Sequence, residues 1–290
     1  MNEPVLQATA EQVLDLFDGV RLTPTQRRIA HCLVQHAPTV AYLSAAEVAE
    51  LAGVSQPSVT RFAVALGHDG YPALRRRLRD LTTTTPGGPT DAANELQQAV
   101  RAEMGNLERL AGQLADTERI AETGRLLAAS RPLPVLGLRA AAPLAAYFAY
   151  FAAKVHPDVR VLNDGGSLLT DRLEQAAESG ASAVLAFVLP RYPRETLDAL
   201  GEARAAGLTV VAITDSPVSP ATEHADVVLP AAVGAQLVFD LHTAPMTLAM
   251  VLLQAICDAA PTDTQRRLEA FEASAARRQL FLGRPEEKQR

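Results

Sequence analysis

Between Ser55 and Leu66 the chain sets Ser55, Gln56, Pro57, Ser58, Thr60 and Arg61 around an apolar series, Val59, Phe62, Ala63 and Leu66. The apolar positions are 3, 1 and 3 apart, so they share one face of a helix and leave the hydrogen-bonding side chains on the other. Hydroxyls, an amide and one guanidinium on a single rod are what reading base edges in a major groove requires. Ser44, at the head of the preceding segment, is expected to join this set as a DNA contact. A second chemistry lies downstream, where Arg75, Arg76, Arg77 and Arg79 crowd one short stretch. Guanidinium groups at that density suit a clamp on backbone phosphates, and they equally suit a solvated surface.

Positioning this face falls to two short helices and a tight turn. Ser44 and Glu47, three residues apart, form a capping box, and Val48 and Leu51 mark the buried side of the first helix. Gly53 falls where that helix must stop, since glycine takes a left-handed conformation without steric cost. Ser55 is placed to cap the second helix, and Pro57 lies in its first turn, where a missing N–H is harmless. Gly67 ends this helix, and Gly70-Tyr71-Pro72 opens another over 72–81. Upstream, 8–18 reads as a short amphipathic helix with Val13, Leu14 and Phe17 on one side. Thr23-Pro24 opens a helix over 24–37 whose Ile29, Leu33 and Val34 face inward.

On pattern alone, the pair of helices fits either a plain helical hairpin or a DNA-reading unit. Charge favours the second. Residues 21–81 carry eight arginines against four acidic residues, a net of +4 in a chain whose formal net charge is −6. A basic segment inside an acidic chain is the electrostatic footprint of phosphate binding.

Residues 20–81 resemble the N-terminal domain of RpiR/MurR-type bacterial regulators. The resemblance is carried by LTPTQRRIAHCLVQH and then SAAEVAELAGVSQPSVTRFAVALGHDGYPALRRRL, down to the Gly-aromatic-Pro turn before the arginine-rich helix. It implies a ligand-responsive transcriptional regulator with operator DNA as one partner.

The whole chain has 290 residues, 48% of them hydrophobic, which is ample for two domains with buried cores. Tryptophan is absent, so those cores rest on Leu, Val and Ala. Cys32 and Cys257 lack metal-ligand spacing and make no disulfide framework, so a reducing cytoplasm is expected. No apolar run reaches the ~18–20 residues of a membrane span, and no secretion signal is visible. No metal, cofactor or catalytic residue is expected.

The boundaries are placed at 1–81 for the all-α helix-turn-helix domain and 82–90 for a linker. They continue with 91–262 for an α/β domain and 263–290 for a terminal helix and tail. The TTTTPGGP stretch from Thr82 cannot continue a helix. Residues 91–129 are expected to be helical, broken near Asp116, with a packed stripe of Leu96, Val100, Leu107, Leu110 and Leu114. From Leu133 on, PLPVLGL, VRVLND, ASAVLAFVL and LTVVAITD alternate with helical stretches, the mark of βαβ units around a parallel sheet. Such sheets hold ligands at the carboxyl ends of their strands. The site loops are therefore 137–142, 163–167, 190–196 and 214–219, with Gly137, Arg139, Asn163, Arg191, Tyr192, Arg194, Thr214, Asp215 and Ser216 as ligand candidates.

Residues of about 120–260 are similar to a sugar isomerase (SIS) domain, most closely in ARAAGLTVVAITDSPVSPATEHADVVLPA. The resemblance implies a three-layer αβα fold that senses a phosphosugar and dimerises. The chain departs from it at the phosphate cradle. Where members carry G-x-G-x-S after the first strand, this chain has Gly137-Leu138-Arg139-Ala140-Ala141-Ala142. Where they carry S-x-S-G-x-T after the third, it has Val188-Leu189-Pro190-Arg191-Tyr192-Pro193. Hydroxyls and a glycine give way to arginine and proline, so an anion would be held by guanidinium groups. The expected effector is a small anionic metabolite, a carbohydrate derivative or other. Two alternatives stay open: a SIS-type sugar-phosphate isomerase, and a ligand-free dimerisation scaffold. For the isomerase, Glu174, Glu195, His224 and His242 are available as acids or bases, in no spacing that singles out a pair.

Overall fold

Two capping boxes start the N-terminal helices. Thr23 accepts from the Gln26 N–H while Gln26 Oε1 accepts from Thr23 N at 2.8 Å, and α1 runs over Pro24–Gln35. A short turn of helix, α2 (Ala37–Val40), leads to α3 (Ala45–Leu51), whose Ser44 N–H donates to Glu47 Oε2 at 2.7 Å. α4 (Gln56–Ala65) and α5 (Tyr71–Thr83) complete the set. α5 runs through Thr82 and Thr83, which the sequence places in the linker, because threonine disfavours a helix without breaking it. The computed structural model describes residues 12–17, 20, 22–40, 43–83, 94–234 and 237–281. Parts of the expected first helix (8–11), Arg21, the linker from 84 to 90 and the tail from 282 lie outside the described residues.

The turn between α3 and α4 forms as its glycine requires. Gly53 has φ of 61°, and Val54 N donates to Ala49 O at 2.9 Å while Gly53 N donates to Glu50 O at 3.2 Å. These two bonds satisfy the last carbonyls of α3. Two expectations fail here. Ser55 makes no side-chain cap, because its own carbonyl already receives the Ser58 N–H at 2.9 Å. Leu51 is 52% exposed rather than buried. The stripe of α3 is Ala45, Val48, Ala49 and Ala52, an i, i+3, i+4, i+7 set that leaves Leu51 off the seam.

Val48, Val59, Phe62, Ala63, Ile29, Leu33, Leu74 and Leu78 are fully buried in one cluster, where the Phe17 and Phe62 rings stand 5.8 Å apart. Val218, from far along the chain, belongs to the same cluster.

α6 (Glu95–Gln113) corrects another expectation. Leu110 is buried, but Leu96 and Val100 are 68% and 61% exposed, and Met104 is 57% exposed. The buried face is instead Ala99, Glu103, Asn106 and Leu110. Polar partners explain the rotation: Glu103 Oε1 accepts from Gly234 N at 3.0 Å and from Asn106 Nδ2 at 3.3 Å. A carboxylate can be buried when it is hydrogen-bonded, so periodicity in leucine alone does not fix the seam.

The C-terminal part holds a five-stranded parallel sheet in the order β2-β1-β3-β4-β5. The strands are β1 (Leu133–Leu136), β2 (Val159–Leu162), β3 (Ala183–Val188), β4 (Thr209–Thr214) and β5 (Val227–Pro230). β1 and β3 are buried along their whole length, which their uninterrupted apolar sequence requires. The first four match the four apolar runs; β5 was not expected as a strand. Asp116 accepts from Arg119 N and opens α7 (Thr117–Ala129). The remaining helices are α8 (Ala142–Val155), α9 (Ser167–Glu178), α10 (Arg194–Ala205), α11 (Thr243–Ala259) and α12 (Pro261–Arg277). Right-handed crossovers put α8, which steps back from β1 to β2, on the face opposite α9 and α10, which step forward. The result is the expected three-layer αβα arrangement.

By internal contacts the chain divides into two compact units. One comprises Met1–Ala111, Thr214–Glu223 and Pro230–Pro245; the other comprises Gly112–Ile213, His224–Leu229 and Met246–Arg290. Among the described residues no single helix is long and apolar enough to cross a membrane.

Candidate functional site

α4 buries Val59, Phe62 and Ala63 completely and leaves Ser55, Gln56, Pro57, Thr60 and Arg61 exposed, with Ser58 half-buried. Along that outer face Ser55 Oγ lies 2.9 Å from Ser58 Oγ, and Arg61 Nη2 donates to Ser58 Oγ at 3.2 Å. The three residues stand at i, i+3 and i+6, a row of roughly 9 Å at 1.5 Å per residue. It is a continuous line of donors and acceptors on a helix anchored by its other side. Ser44 is half-buried, with its hydroxyl accepting from Glu47 N at 3.3 Å.

On α5, Arg76 and Arg77 are exposed and Arg75 is half-buried. Tyr71 fixes this helix: it is 3% exposed and its hydroxyl donates to Leu43 O at 3.1 Å. Burial pushes its phenol up to about 12, so it remains a neutral donor.

At the sheet, the strand order reverses between β1 and β3, and such a switch point opens a crevice at the carboxyl ends of its strands. Both loops that leave this point carry an arginine in left-handed backbone, Arg139 with φ of 53° and Arg191 with φ of 63°. Both side chains are exposed. Arg139 opens the short 3-10 turn Arg139–Ala141 ahead of α8, and Gly137 N before it donates to Leu162 O at 3.0 Å. Arg191 stands where the sequence resemblance puts a glycine, and it keeps the backbone a glycine would adopt. Non-glycine residues held there cost about 1–2 kcal/mol and gather at functional sites.

Tyr192 is half-buried, Pro193 precedes α10, and Arg194 is its first residue and exposed. Thr196, in the same turn, is 1% exposed with its Oγ1 unpartnered among the described residues. Asn163 is exposed after the edge strand β2. The acid that sequence reasoning left unplaced is Glu195. Its carboxylate accepts from the Gly166 N–H at the head of α9, and it lies so close to Gly165 that a Cβ there would collide with it. Glu174 is exposed on α9. The signal for Glu195 was the adjacent glycine pair, meaningful only once the fold brings a carboxylate to it.

Thr214, Asp215 and Ser216 form the start of the loop after β4. Thr214 is fully buried and Ser216 is 6% exposed. Thr214 Oγ1 lies 2.8 Å from Ser219 Oγ and 3.1 Å from Asp215 Oδ1, and Ser216 Oγ accepts from Val218 N at 3.2 Å. These hydroxyls brace the loop.

A separate groove of about 540 Å³ runs between α7 and α11, lined by Leu114, Ile120, Ala121, Val251 and Ala255, with Arg125 and Asp258 beside them. Its lining is mainly apolar. Among the described residues no group of three metal-ligating side chains occurs.

A family described as "Helix-turn-helix domain, rpiR family" matches residues 18–84, and one described as "SIS domain" matches residues 126–255. The HTH-type transcriptional regulator YfhH of Escherichia coli (strain K12), itself uncharacterized, is 28% identical over 208 residues, 67% of this chain and 71% of that protein. The Vibrio vulnificus NanR protein, complexed with ManNAc-6P, has a similar fold: TM-score 0.57 at 18% identity, covering 93% of this chain and 99% of that one. The sugar isomerase domain of an RpiR transcription factor from Sphaerobacter thermophilus gives TM-score 0.54 at 25% identity, covering 60% and 97%.

Proposed function

The chain joins an rpiR-family helix-turn-helix domain to a SIS domain, and on that premise we propose that it is a DNA-binding transcriptional regulator, cytoplasmic, whose SIS domain senses a small anion. The observation that carries the DNA half is the Ser55–Ser58–Arg61 row on the outer face of a helix whose inner face is fully buried. Ser44, Gln56, Pro57 and Thr60 extend that surface, and Arg75, Arg76 and Arg77 take the flanking phosphates. Phosphate contacts set register while the α4 row reads bases. The working domains are 1–81, the linker 82–90, 91–262 and the tail 263–290.

Half-site reading needs two recognition helices, so the working form is a homodimer or a higher homo-oligomer. The exposed Leu96, Val100 and Met104 on α6 support association, because such apolar series are rarely left in water.

For the effector, two left-handed arginines at the switch point favour an oxyanion, with Arg191 first and Arg139, Arg194, Gly137, Asn163, Tyr192, Thr214, Asp215 and Ser216 around it. NanR's ManNAc-6P makes sugar phosphates the first class to test. Here guanidinium groups, rather than a cradle of hydroxyls, would do the holding. An isomerase reading gains nothing from Glu195, whose carboxylate is already engaged by backbone.

The test has two arms on the full chain. Genomic fragments are selected by binding and sequenced, and thermal shifts are read against sugar phosphates, sugar acids and inorganic phosphate. Enrichment of one two-fold-symmetric motif and a midpoint raised by an anion support the proposal. Selection without a motif removes the regulator reading, and unshifted midpoints leave the SIS domain as a scaffold.

A further inference from the structure

Val218 is 3% exposed and packs in the same cluster as Ile29, Leu33, Val48, Val59 and Phe62. It is supplied by the loop that leaves β4, and that stretch, Thr214–Glu223, falls in one compact unit with Met1–Ala111. The loop is short and stiff. Thr214 Oγ1 reaches Ser219 Oγ at 2.8 Å, Val218 N donates to Ser216 Oγ at 3.2 Å, and Ser219 N donates to Ser216 O at 3.2 Å. Thr222 Oγ1 closes the far side by donating to Ser219 O at 2.7 Å. Pro217 and Pro220 flank Val218 with fixed φ.

Stiffness decides what such a loop transmits. Its root is the carboxyl end of a strand in a parallel sheet, the edge at which such sheets hold ligands. Its tip is a buried side chain among those that fix the inner face of α4. A flexible loop would absorb a shift at its root; one braced by buried hydroxyls and two prolines passes it to the tip, because packed interiors have few alternative arrangements.

We infer that Val218 is the coupling residue of this protein, a component of the helix-turn-helix core donated by the β4 loop, so that the state of Thr214–Ser216 sets the packing beneath α4. Its regulatory meaning rests on the proposed function; its physical content does not.

Hydrogen exchange on the full chain tests it without DNA or effector. Val218→Ala removes two methyl groups and leaves the loop its bracing. Amides of α3 and α4 should then exchange roughly tenfold faster, the scale of a small buried truncation on local opening, while β1 and β3 stay unchanged. Thr214→Val keeps the shape and removes the root hydroxyl; the same α3 and α4 amides should loosen in the same direction, by less. Unchanged exchange in α3 and α4 for Val218→Ala overturns the inference, as does loosening of β1 and β3 to the same degree. A Thr214→Val protein identical to wild type overturns the bracing. Failure of the DNA or effector experiments leaves the exchange result standing, so the two proposals fail separately.

Discussion

The carboxylate of Glu195 receives the N–H of Gly166, so the head of α9 already holds an anion that belongs to the chain. A helix N-terminus favours negative charge, and this one is supplied from the first turn of α10, next to Arg194. Glu195→Gln keeps an acceptor for Gly166 and removes a negative charge from the neighbourhood of Arg191. Affinity for inorganic phosphate should rise, by a factor of roughly two to five for about 0.5–1 kcal/mol of relieved repulsion. Calorimetry checks this; a weaker or equal affinity contradicts it.

Arg191 supports two opposed effects in one position. Arg191→Ala and Arg191→Gly should both weaken any anionic effector. The glycine variant should unfold at the higher temperature, since it relieves left-handed strain of about 1–2 kcal/mol less the glycine's own unfolded-state entropy. Simple hexose phosphates should bind no tighter than millimolar, because three or four missing neutral hydrogen bonds at about 1 kcal/mol each remove a factor of several hundred. Micromolar glucosamine 6-phosphate binding that survives Arg191→Ala would overturn the assignment.

On α4, Arg61→Ala or Ser58→Ala should leave the fold intact and flatten operator preference by roughly 1–3 kcal/mol per lost base contact. A competition shift assay between the selected motif and a scrambled duplex reads this difference. Wild-type selectivity in both variants would remove α4 as the reading helix.

Arg76 and Arg77 should behave differently. Neutralising either weakens all duplexes alike and lowers the slope of log affinity against log salt by about one charge. An unaltered slope returns that arginine to the solvated surface.

Burial raises the Glu103 carboxyl above its ordinary 4.5, and Oε2 has no partner among the described residues. A raised folded value means the folded state keeps its proton longer. Stability associated with Glu103 is therefore full below 4.5 and is lost as pH rises through the raised value. Glu103→Gln, which keeps an acceptor for Gly234, should flatten that decline. Thermal midpoints between pH 4 and 8, wild type against variant, measure it.

The helix-turn-helix was legible because its determinants are local: Gly53 in the turn, Ser44 with Glu47 at the cap, Val59 and Phe62 on one face. The sheet was legible because strands buried on both faces have nowhere to place polar residues. What periodicity could not say is what covers a face. Leu96 and Val100 share a side of α6, yet that helix buries the side with Glu103, whose partner Gly234 lies 131 positions away. The roles of Glu195, named only as one acid among several, and of Val218 stayed hidden for the same reason. Neither has a local signature, and each takes its role from a neighbour that only folding delivers. Arg191 was found by its place in a motif, but its left-handed backbone was not readable from sequence.

The bare series Leu96, Val100 and Met104 makes the stability of this chain a matter of mass action. A second copy covering it, as proposed above, would bind only the folded chain, so folding and association would share one equilibrium. The unfolding midpoint should then climb with total protein, and at the dilution of a few molecules per cell the chain should be at its least stable. DNA that holds two copies side by side would raise their local concentration and supply the missing stability at the operator itself.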